Sequence, residues 1–120
     1  MKALVVDDSS FMRNMMSNIL EDMDFEEIEE ADDGSVAIEK FEEEDFDLVT
    51  LDIIMDDVGG IEALEEIKDM DEDADVIMVS AVGQDDMVDE AKDKGAETFI
   101  NKPFDEEDVK DTVTELILDQ

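Results

Sequence analysis

The chain lacks several residue types on which much protein chemistry depends. It contains no cysteine and no histidine, which excludes disulfides, thiolate nucleophiles and the common zinc sites. Histidine is also the usual general base near neutral pH, so that role is missing as well. Tryptophan and tyrosine are absent, which disfavours a site that stacks a flavin between aromatic rings. Any reaction at this chain must therefore use carboxylates, hydroxyls or lysine.

Positive charge is also scarce. Only 8 Lys and Arg accompany 41 Asp and Glu, which gives a formal net charge of −33 and leaves no basic patch for nucleic-acid phosphates. Such acidity is typical of disordered chains, yet 42% of the residues are hydrophobic and recur with helix and strand periods. At about 1 M salt the Debye length falls to about 3 Å, so surface repulsion is screened. We therefore interpret the acidity as adaptation to the salty cytoplasm of an extreme halophile, with an archaeal source favoured.

Long apolar runs are missing too. No run approaches the roughly 20 residues that a membrane-spanning helix needs, and the chain does not begin like a signal peptide. We therefore expect a cytoplasmic protein without membrane association. A length of 120 residues fits one domain with a substantial core. The prediction is a single domain over residues 1–120, monomeric and without an effector domain.

Apolar runs with the period of a strand alternate with segments that have the period of a helix. Strands are predicted at residues 2–6, 25–30, 48–51, 76–79 and 98–101. The run at 25–30 is weakly apolar, which suits an edge strand, whereas 48–51 is typical of a buried central strand. Five strand–helix units predict a parallel sheet with helices on both faces. At this size they favour the flavodoxin-like (βα)5 three-layer sandwich, an α/β fold with strand order 2-1-3-4-5.

The first helix has both a capping signal and an apolar period. Ser9 or Ser10 can cap its N-terminus. Phe11, Met15 and Ile19 recur at every fourth residue, with Met12, Met16 and Leu20 beside them, so these six residues are predicted to form the apolar face of this helix.

Five polar side chains lie at, or one residue beyond, the C-terminal end of a predicted strand. They are Asp7, Asp8, Asp52, Ser80 and Lys102. In an open parallel sheet, ligands bind at the carboxyl ends of the strands. Strand order 2-1-3-4-5 makes the first and third strands neighbours, which places the three aspartates together. Three acids, a hydroxyl and an amine at one rim predict a site for a hard cation and a phosphoryl group.

The three carboxylates repel one another unless a cation compensates their charge. Mg²⁺ takes oxygen ligands and keeps several waters, so two carboxylates and a carbonyl suffice to hold it. Adjacent aspartates also occur by chance in so acidic a chain, as at residues 32–33, 56–57 and 85–86, but those pairs do not directly follow an apolar strand. Position therefore distinguishes Asp7, Asp8 and Asp52 from the other acids.

Lys102 follows a strand and precedes Pro103, which ends the strand and lets the amine project off the rim. The lysine can form a structural ion pair with one of the acids, or hold a phosphoryl oxygen and neutralise charge on transfer. Ser80 can donate a hydrogen bond to the same group or be an ordinary serine at a strand end. Because histidine, cysteine and an activated serine are lacking, the remaining nucleophile is a carboxylate, which gives an acyl phosphate.

Four segments extend this pattern over essentially the whole chain. VVDDSSFMR, LVTLDIIMDDVGG, VSAVGQ and FINKPF resemble, in order and spacing, the receiver domain of two-component response regulators. DDSSFMR and FINKPF, with no effector domain following, make the chain most similar to single-domain chemotaxis regulators. The resemblance implies a signalling protein rather than an enzyme in the metabolic sense. Such a protein catalyses its own phosphoryl transfer and the hydrolysis of its aspartyl phosphate.

The resemblance also implies roles for the acids of the rim. Asp52 accepts phosphate from the phosphohistidine of a CheA-like histidine kinase. Asp8 and Asp52 bind Mg²⁺ directly, together with the backbone carbonyl of Ile54, and Asp7 helps mostly through water. One divalent ion is implied, and Mn²⁺ can substitute for Mg²⁺.

Further implied roles concern the phosphoryl group and the output of the switch. Ser80, Lys102 and the backbone N–H of Ala81 contact the phosphoryl group. Phe99 matches the aromatic switch position, whose inward rotation is coupled to movement of Ser80. The implied output face consists of the fourth helix, the fifth strand and the fifth helix. Its implied partners are a motor switch or an archaellar adaptor protein, and a phosphatase can act on the phosphorylated form.

Several positions depart from the family pattern. Asp56 replaces the usual proline after the methionine, so we expect a looser loop and a further acid near the metal. The switch residue Phe99 has no hydroxyl, so hydrogen bonding by a tyrosine hydroxyl cannot be part of its output. Ile54 and Val82 flank the site where relatives often carry polar side chains. Apolar side chains hinder an attacking water, which predicts slow self-dephosphorylation.

Other functions fit the sequence less well. Asp69, Asp71 and Asp73 take the first three ligand positions of a calcium-binding EF-hand loop, but Ala74 replaces the glycine and Ser80 the bidentate glutamate. A haloacid-dehalogenase-type phosphatase needs alternating aspartates after its first strand, whereas Asp7 and Asp8 are adjacent here. A flavodoxin needs a hydroxyl-rich phosphate loop after its first strand and aromatic rings around the flavin, and the chain has no Trp or Tyr. Within the receiver family, the alternative to chemotaxis is a phosphorelay intermediate that passes phosphate to a histidine phosphotransfer protein.

Overall fold

The computed structural model of the chain describes residues 1–55 and 58–118. In this part of the chain, strands and helices alternate from end to end. The strands are Lys2–Val6 (β1), Glu27–Ala31 (β2), Leu48–Asp52 (β3), Val76–Ser80 (β4) and Thr98–Asn101 (β5). The helices are Ser10–Glu21 (α1), Gly34–Glu43 (α2), Gly60–Met70 (α3), Asp85–Asp93 (α4) and Glu106–Leu118 (α5). None of these helices is long and apolar enough to cross a membrane.

The strands form one parallel sheet in the order β2-β1-β3-β4-β5. This is the flavodoxin-like arrangement that the five strand–helix units predicted, so the predicted fold is confirmed. Val6 pairs with Leu51, Asp52 with Val79, and Ser80 with Asn101. Because the strands are in register, their carboxyl ends form one edge of the sheet, and the polar residues that follow them meet there.

The core lies on both faces of the sheet. Alternate residues of each strand point to opposite faces: Leu4 and Val6 belong to one buried cluster, Ala3 and Val5 to the other. The first cluster packs against α2, α3 and α4, and the second against α1 and α5. Both faces are therefore covered, which explains why β1, β3 and β4 are nearly continuous apolar runs.

The apolar face predicted for α1 is wrong at Phe11, whose exposed fraction is 68%. The side chain of Ser9 accepts a hydrogen bond from the N–H of Met12 and caps the helix. This places Phe11 in the first turn, on the solvent side. The rest of the predicted face is confirmed: Met16, Ile19 and Leu20 are buried, and Met12 and Met15 are partly buried against the same cluster.

Strand β2 lies at the edge of the sheet, as its weak apolar pattern predicted. Phe25 is buried but precedes the strand. Each glutamate of β2 pairs with a cation, with N···O distances from 2.8 to 3.5 Å. The pairs are Lys2 with Glu27, Lys40 with Glu29, and Arg13 with Glu30. Three of the chain's few cations are therefore concentrated at this edge.

Candidate functional site

The three aspartates predicted to meet at the carboxyl edge do so. Carboxylate oxygens of Asp7, Asp8 and Asp52 all lie within 4.8 Å of one another. Asp7 and Asp52 are buried, whereas Asp8 is exposed. Within residues 1–55 and 58–118, these residues form the one group of three or more acids whose oxygens converge. The calcium-binding alternative, which needs such a cluster in the loop before β4, is therefore not supported.

Asp7 is held by three hydrogen bonds. Its backbone N–H donates to the carbonyl of Ala31 (3.2 Å), and its carboxylate accepts from the N–H of Ser9 (2.9 Å). Its carbonyl accepts from a guanidinium nitrogen of Arg13 (2.7 Å), and Arg13 also binds Glu30 on β2 (3.1 Å). The sequence analysis did not single out Arg13. The available signal was its position one turn into α1, from which a long side chain reaches back to the end of β1.

Asp52 is placed by close packing of the backbone. A Cβ on Gly60, the first residue of α3, would lie 2.0 Å from the carbonyl oxygen of Asp52. The N–H of Gly60 donates to the carbonyl of Ile53 (2.9 Å). Only glycine permits this approach, so the start of α3 packs directly against the backbone at the end of β3.

Lys102 connects the two buried acids. Its Nζ lies 2.9 Å from Oδ2 of Asp7 and 2.9 Å from Oδ2 of Asp52. Its backbone N–H donates to the carbonyl of Ser80 (2.6 Å), which ties the end of β5 to the end of β4. Of the two roles that the sequence left open for this lysine, the structure shows the ion pair with the acids. A group that binds at Asp52 meets the same amine.

The pKa values of Asp52 and Lys102 reflect burial and a shortage of positive charge at the site. Burial raises the pKa of the Asp52 carboxyl to about 6, with Lys102 opposing the rise and Asp7 adding to it. Burial also acts to lower the pKa of Lys102, but its hydrogen bonds to Asp52 and Asp7 outweigh that effect and the pKa is raised. One lysine thus contacts two buried carboxylates, and a carboxylate oxygen of Asp8 lies within 4.8 Å of theirs. Carboxylate oxygens are the ligands that Mg²⁺ prefers, so the donor set fits a hard divalent cation.

The two donors predicted to contact a phosphoryl group already have acceptors. The buried hydroxyl of Ser80 donates to Oδ1 of Asn101 (3.1 Å). The backbone N–H of Ala81 donates to Oε1 of Gln84 (2.7 Å). Sequence reasoning assigned no role to the side-chain amide of Asn101 or to that of Gln84. The signal for Gln84 was its place three residues after Ala81, the separation at which a chain turns back on itself.

Three apolar side chains were also assigned to the site or to its switch. Ile54 and Val82, predicted to flank the site, have exposed fractions of 50% and 96%. Phe99 is half-buried, and the Nζ of Lys92 lies 5.7 Å from the centre of its ring. Asp56, predicted to loosen the loop after β3, lies outside the described residues.

Comparison with known proteins gives a consistent result. Residues 3–114 match the model of the response regulator receiver domain. The chain is 51% identical over 104 residues to the chemotaxis protein CheY of Listeria monocytogenes, covering 87% of each chain. It is 42% identical over 116 residues to CheY of Halobacterium salinarum, covering 97% of this chain and 96% of that protein.

A solved structure extends the match to three dimensions. The CheX–CheY–BeF3–Mg complex from Borrelia burgdorferi contains a chain with a TM-score of 0.88 and 39% identity, which covers 95% of this chain and 87% of that one. Sequence motifs, strand order and these relatives agree, and the chain belongs to the response regulator receiver domain family.

Proposed function

We propose that this protein is a chemotaxis response regulator, which becomes active when Asp52 accepts a phosphoryl group from a CheA-like histidine kinase. The observation that carries the proposal is the meeting of Asp52, Asp7 and Lys102 at the carboxyl edge of the sheet, with both N···O distances at 2.9 Å. The family and the CheY relatives support the coarser statement that phosphorylation regulates the protein.

The transfer step uses Asp52 as the nucleophile. One carboxylate oxygen of Asp52 attacks phosphorus, the P–O bond of an acyl phosphate forms, and the P–N bond breaks with its electron pair remaining on the imidazole of the kinase. Lys102 then contacts a phosphoryl oxygen and compensates its charge. The hydroxyl of Ser80 and the N–H of Ala81 bind the other oxygens. Because a carboxylate is needed, Asp52 must be ionised when the transfer takes place.

The acid cluster fits the divalent ion that receiver domains bind. In the proposed arrangement Asp8, Asp52 and the carbonyl of Ile54 hold Mg²⁺ directly, and Asp7 acts mostly through water. When bound, Mg²⁺ supplies positive charge beside the phosphoryl oxygens. The same oxygen donors accept Mn²⁺.

The output is proposed to leave the site through β4 and β5. Ser80 and Phe99 belong to these adjacent strands and line the same surface cavity, which supports coupling between movement of Ser80 and inward rotation of the half-buried ring. The face formed by α4, β5 and α5 then changes its affinity for a motor switch or an archaellar adaptor protein. A relative was solved in complex with CheX, which supports a second protein partner, and we assign that partner the role of a phosphatase.

Hydrolysis of the aspartyl phosphate is proposed to be slow. Ile54 and Val82 stand at the entrance with apolar side chains that can neither orient nor activate water, and both are accessible rather than packed into the core. The protein therefore holds its signal until another protein removes it.

The acceptor assignment can be tested with acetyl phosphate and Mg²⁺ in multimolar KCl. Intact-mass measurement should show one added phosphoryl group on the wild type and none on Asp52→Asn. Asp89→Asn removes the same charge from an exposed position of α4 and should label like the wild type. If Asp52→Asn is labelled, the assignment is wrong.

The chemotaxis assignment needs a binding experiment with defined partners. Purified motor-switch or archaellar adaptor proteins and a histidine phosphotransfer domain from the same organism are tested with and without beryllofluoride and Mg²⁺. Binding of a motor-side protein only in the activated state supports the proposal. Binding of the phosphotransfer domain alone refutes it and identifies a phosphorelay intermediate.

A further inference from the structure

The connection between β4 and α4 is a closed turn formed by residues 81–84, here called the β4–α4 turn. Two hydrogen bonds join its ends: the backbone N–H of Gln84 donates to the carbonyl of Ala81 (3.3 Å), and the N–H of Ala81 donates to Oε1 of Gln84 (2.7 Å). Gly83, the third residue of the turn, has φ +91°. A type II β-turn requires such a positive φ at its third residue. The side chain of Gln84 is therefore part of the turn.

The proposed function needs the same N–H for a different purpose. When a phosphoryl oxygen binds at Ala81, the backbone N–H must point to that oxygen, and one N–H cannot make two short, well-aligned bonds in different directions. Ser80 is in the same situation, because its hydroxyl donates to Asn101 and has a single proton to give. Both donors must exchange an amide oxygen for a phosphoryl oxygen.

We propose that Gln84 is a placeholder acceptor, a positioning residue that occupies the Ala81 N–H until a phosphoryl group displaces it. The inference rests on the proposed function and adds a built-in competitor to it. Displacement releases the Gln84 side chain and opens one of the two bonds that close the β4–α4 turn. Asn101 acts in parallel on Ser80.

The surroundings of the turn allow this exchange at little cost in packing. Val82 has an exposed fraction of 96%, and a Cβ added to Gly83 would meet no atom within 4 Å. Opening the turn therefore costs little packing at its two central residues. The start of α4 is retained, because the carbonyl of Gln84 accepts from the N–H of Val88 (2.9 Å). Release of the side chain thus frees the turn while the helix stays formed.

Removal of the placeholder should favour the activated state. Gln84→Met keeps the length of the side chain and removes the acceptor, so the unliganded state loses a hydrogen bond that the activated state never had. A hydrogen bond of ordinary net strength corresponds to about a threefold to tenfold gain in affinity for beryllofluoride. Gln84→Glu keeps an acceptor and should not increase the affinity.

The experiment is a calorimetric titration of beryllofluoride at fixed Mg²⁺ in multimolar KCl, with ¹H–¹⁵N spectra that report the Ala81 amide. Asn101→Leu should raise the affinity in the same direction as Gln84→Met. Asn18→Ala removes an exposed amide from α1 and is the matched control, with wild-type affinity expected. Without beryllofluoride, the Ala81 amide should exchange with solvent faster in Gln84→Met than in the wild type.

The outcomes separate this inference from the proposed function. If the wild type binds beryllofluoride and Gln84→Met binds it no more tightly, the placeholder role is wrong and the proposed function is unaffected. Wild type that fails to bind beryllofluoride refutes the proposed function, and the inference with it. Unchanged exchange of the Ala81 amide in Gln84→Met also overturns the inference, and this measurement does not depend on activation.

Discussion

Asp52→Asn is expected to stabilise the folded protein at neutral pH. Burial raises the pKa of the Asp52 carboxyl from an ordinary 3.8 to about 6. At neutral pH the folded chain therefore holds an ionised carboxylate in a place that disfavours its charge. Asparagine has nearly the same shape and no charge. Lys102 keeps its second partner, Asp7, at 2.9 Å, so the substitution does not leave the lysine unpaired.

The magnitude and its pH dependence follow from the two pKa values. One pKa unit corresponds to about 1.4 kcal/mol, so the difference sets an upper limit of about 3 kcal/mol for the gain. Below pH 4 the carboxyl is protonated in the folded and the unfolded chain, and the two proteins should be equally stable. Between about pH 4 and 6 only the unfolded chain loses the proton, so the wild type loses stability relative to the variant. Above pH 6 the full difference remains.

Urea unfolding measures this difference directly. Both proteins are unfolded between pH 4 and 8 in multimolar KCl with a chelator, so that no divalent ion compensates the acids. Asp89→Asn is the control for removal of one negative charge, because Asp89 is exposed on α4. Its free energy of unfolding should differ from that of the wild type by less than about 0.5 kcal/mol, without a step between pH 4 and 6.

Two results would refute the reasoning. The first is an Asp52→Asn variant that is no more stable than the wild type at pH 7. The second is a gain that persists unchanged at pH 4, because a gain independent of protonation cannot come from the buried charge.

Three further predictions concern the metal, the phosphoryl group and the backbone. Mg²⁺ at a hundred times its dissociation constant should add about 2.7 kcal/mol to the free energy of unfolding, and Asp8→Asn should lose most of this gain; equal thermal shifts in both proteins would contradict the metal site. Ile54→Asn combined with Val82→Glu should shorten the half-life of the aspartyl phosphate, measured by loss of radiolabelled phosphate, and an unchanged half-life is the contrary result. Gly60→Ala should cost about 1–3 kcal/mol or more in urea unfolding, because its Cβ meets a strand carbonyl at 2.0 Å. Gly59→Ala should be tolerated, since its nearest neighbour is 3.7 Å away.

The sequence predicted the elements of the fold because its apolar pattern is unambiguous. The continuous run at 48–51 belongs to a strand covered on both faces, and the sparse run at 25–30 precedes and overlaps an edge strand. Strand ends predicted Asp7, Asp8 and Asp52 as neighbours, since parallel strands in register end at one edge. What periodicity could not provide was the exposure of the first helical turn: Phe11 fits the period of four, yet the cap at Ser9 places it toward solvent.

Side-chain hydrogen bonds were also beyond the sequence. Arg13, Gln84 and Asn101 each bind a polar group of the site, but no apolar period marks their side chains, and Arg13 and Gln84 do not end a strand. Their partners depend on rotamers and on how a turn closes, which are tertiary properties. Asn101 was predicted only as the last residue of a strand, although its neighbour Lys102 was assigned to the site.

The ion pairs of β2 bear on association between copies of the protein. In multimolar salt the Debye length is at most about 3 Å, so net negative charge no longer keeps copies apart. An edge strand offers backbone groups to which a strand of another copy could add. Here the edge carries three glutamates in contact with cations, and an incoming strand would have to strip water from those charges. Resistance to edge-to-edge aggregation in brine therefore depends on a local desolvation cost, which salt does not screen.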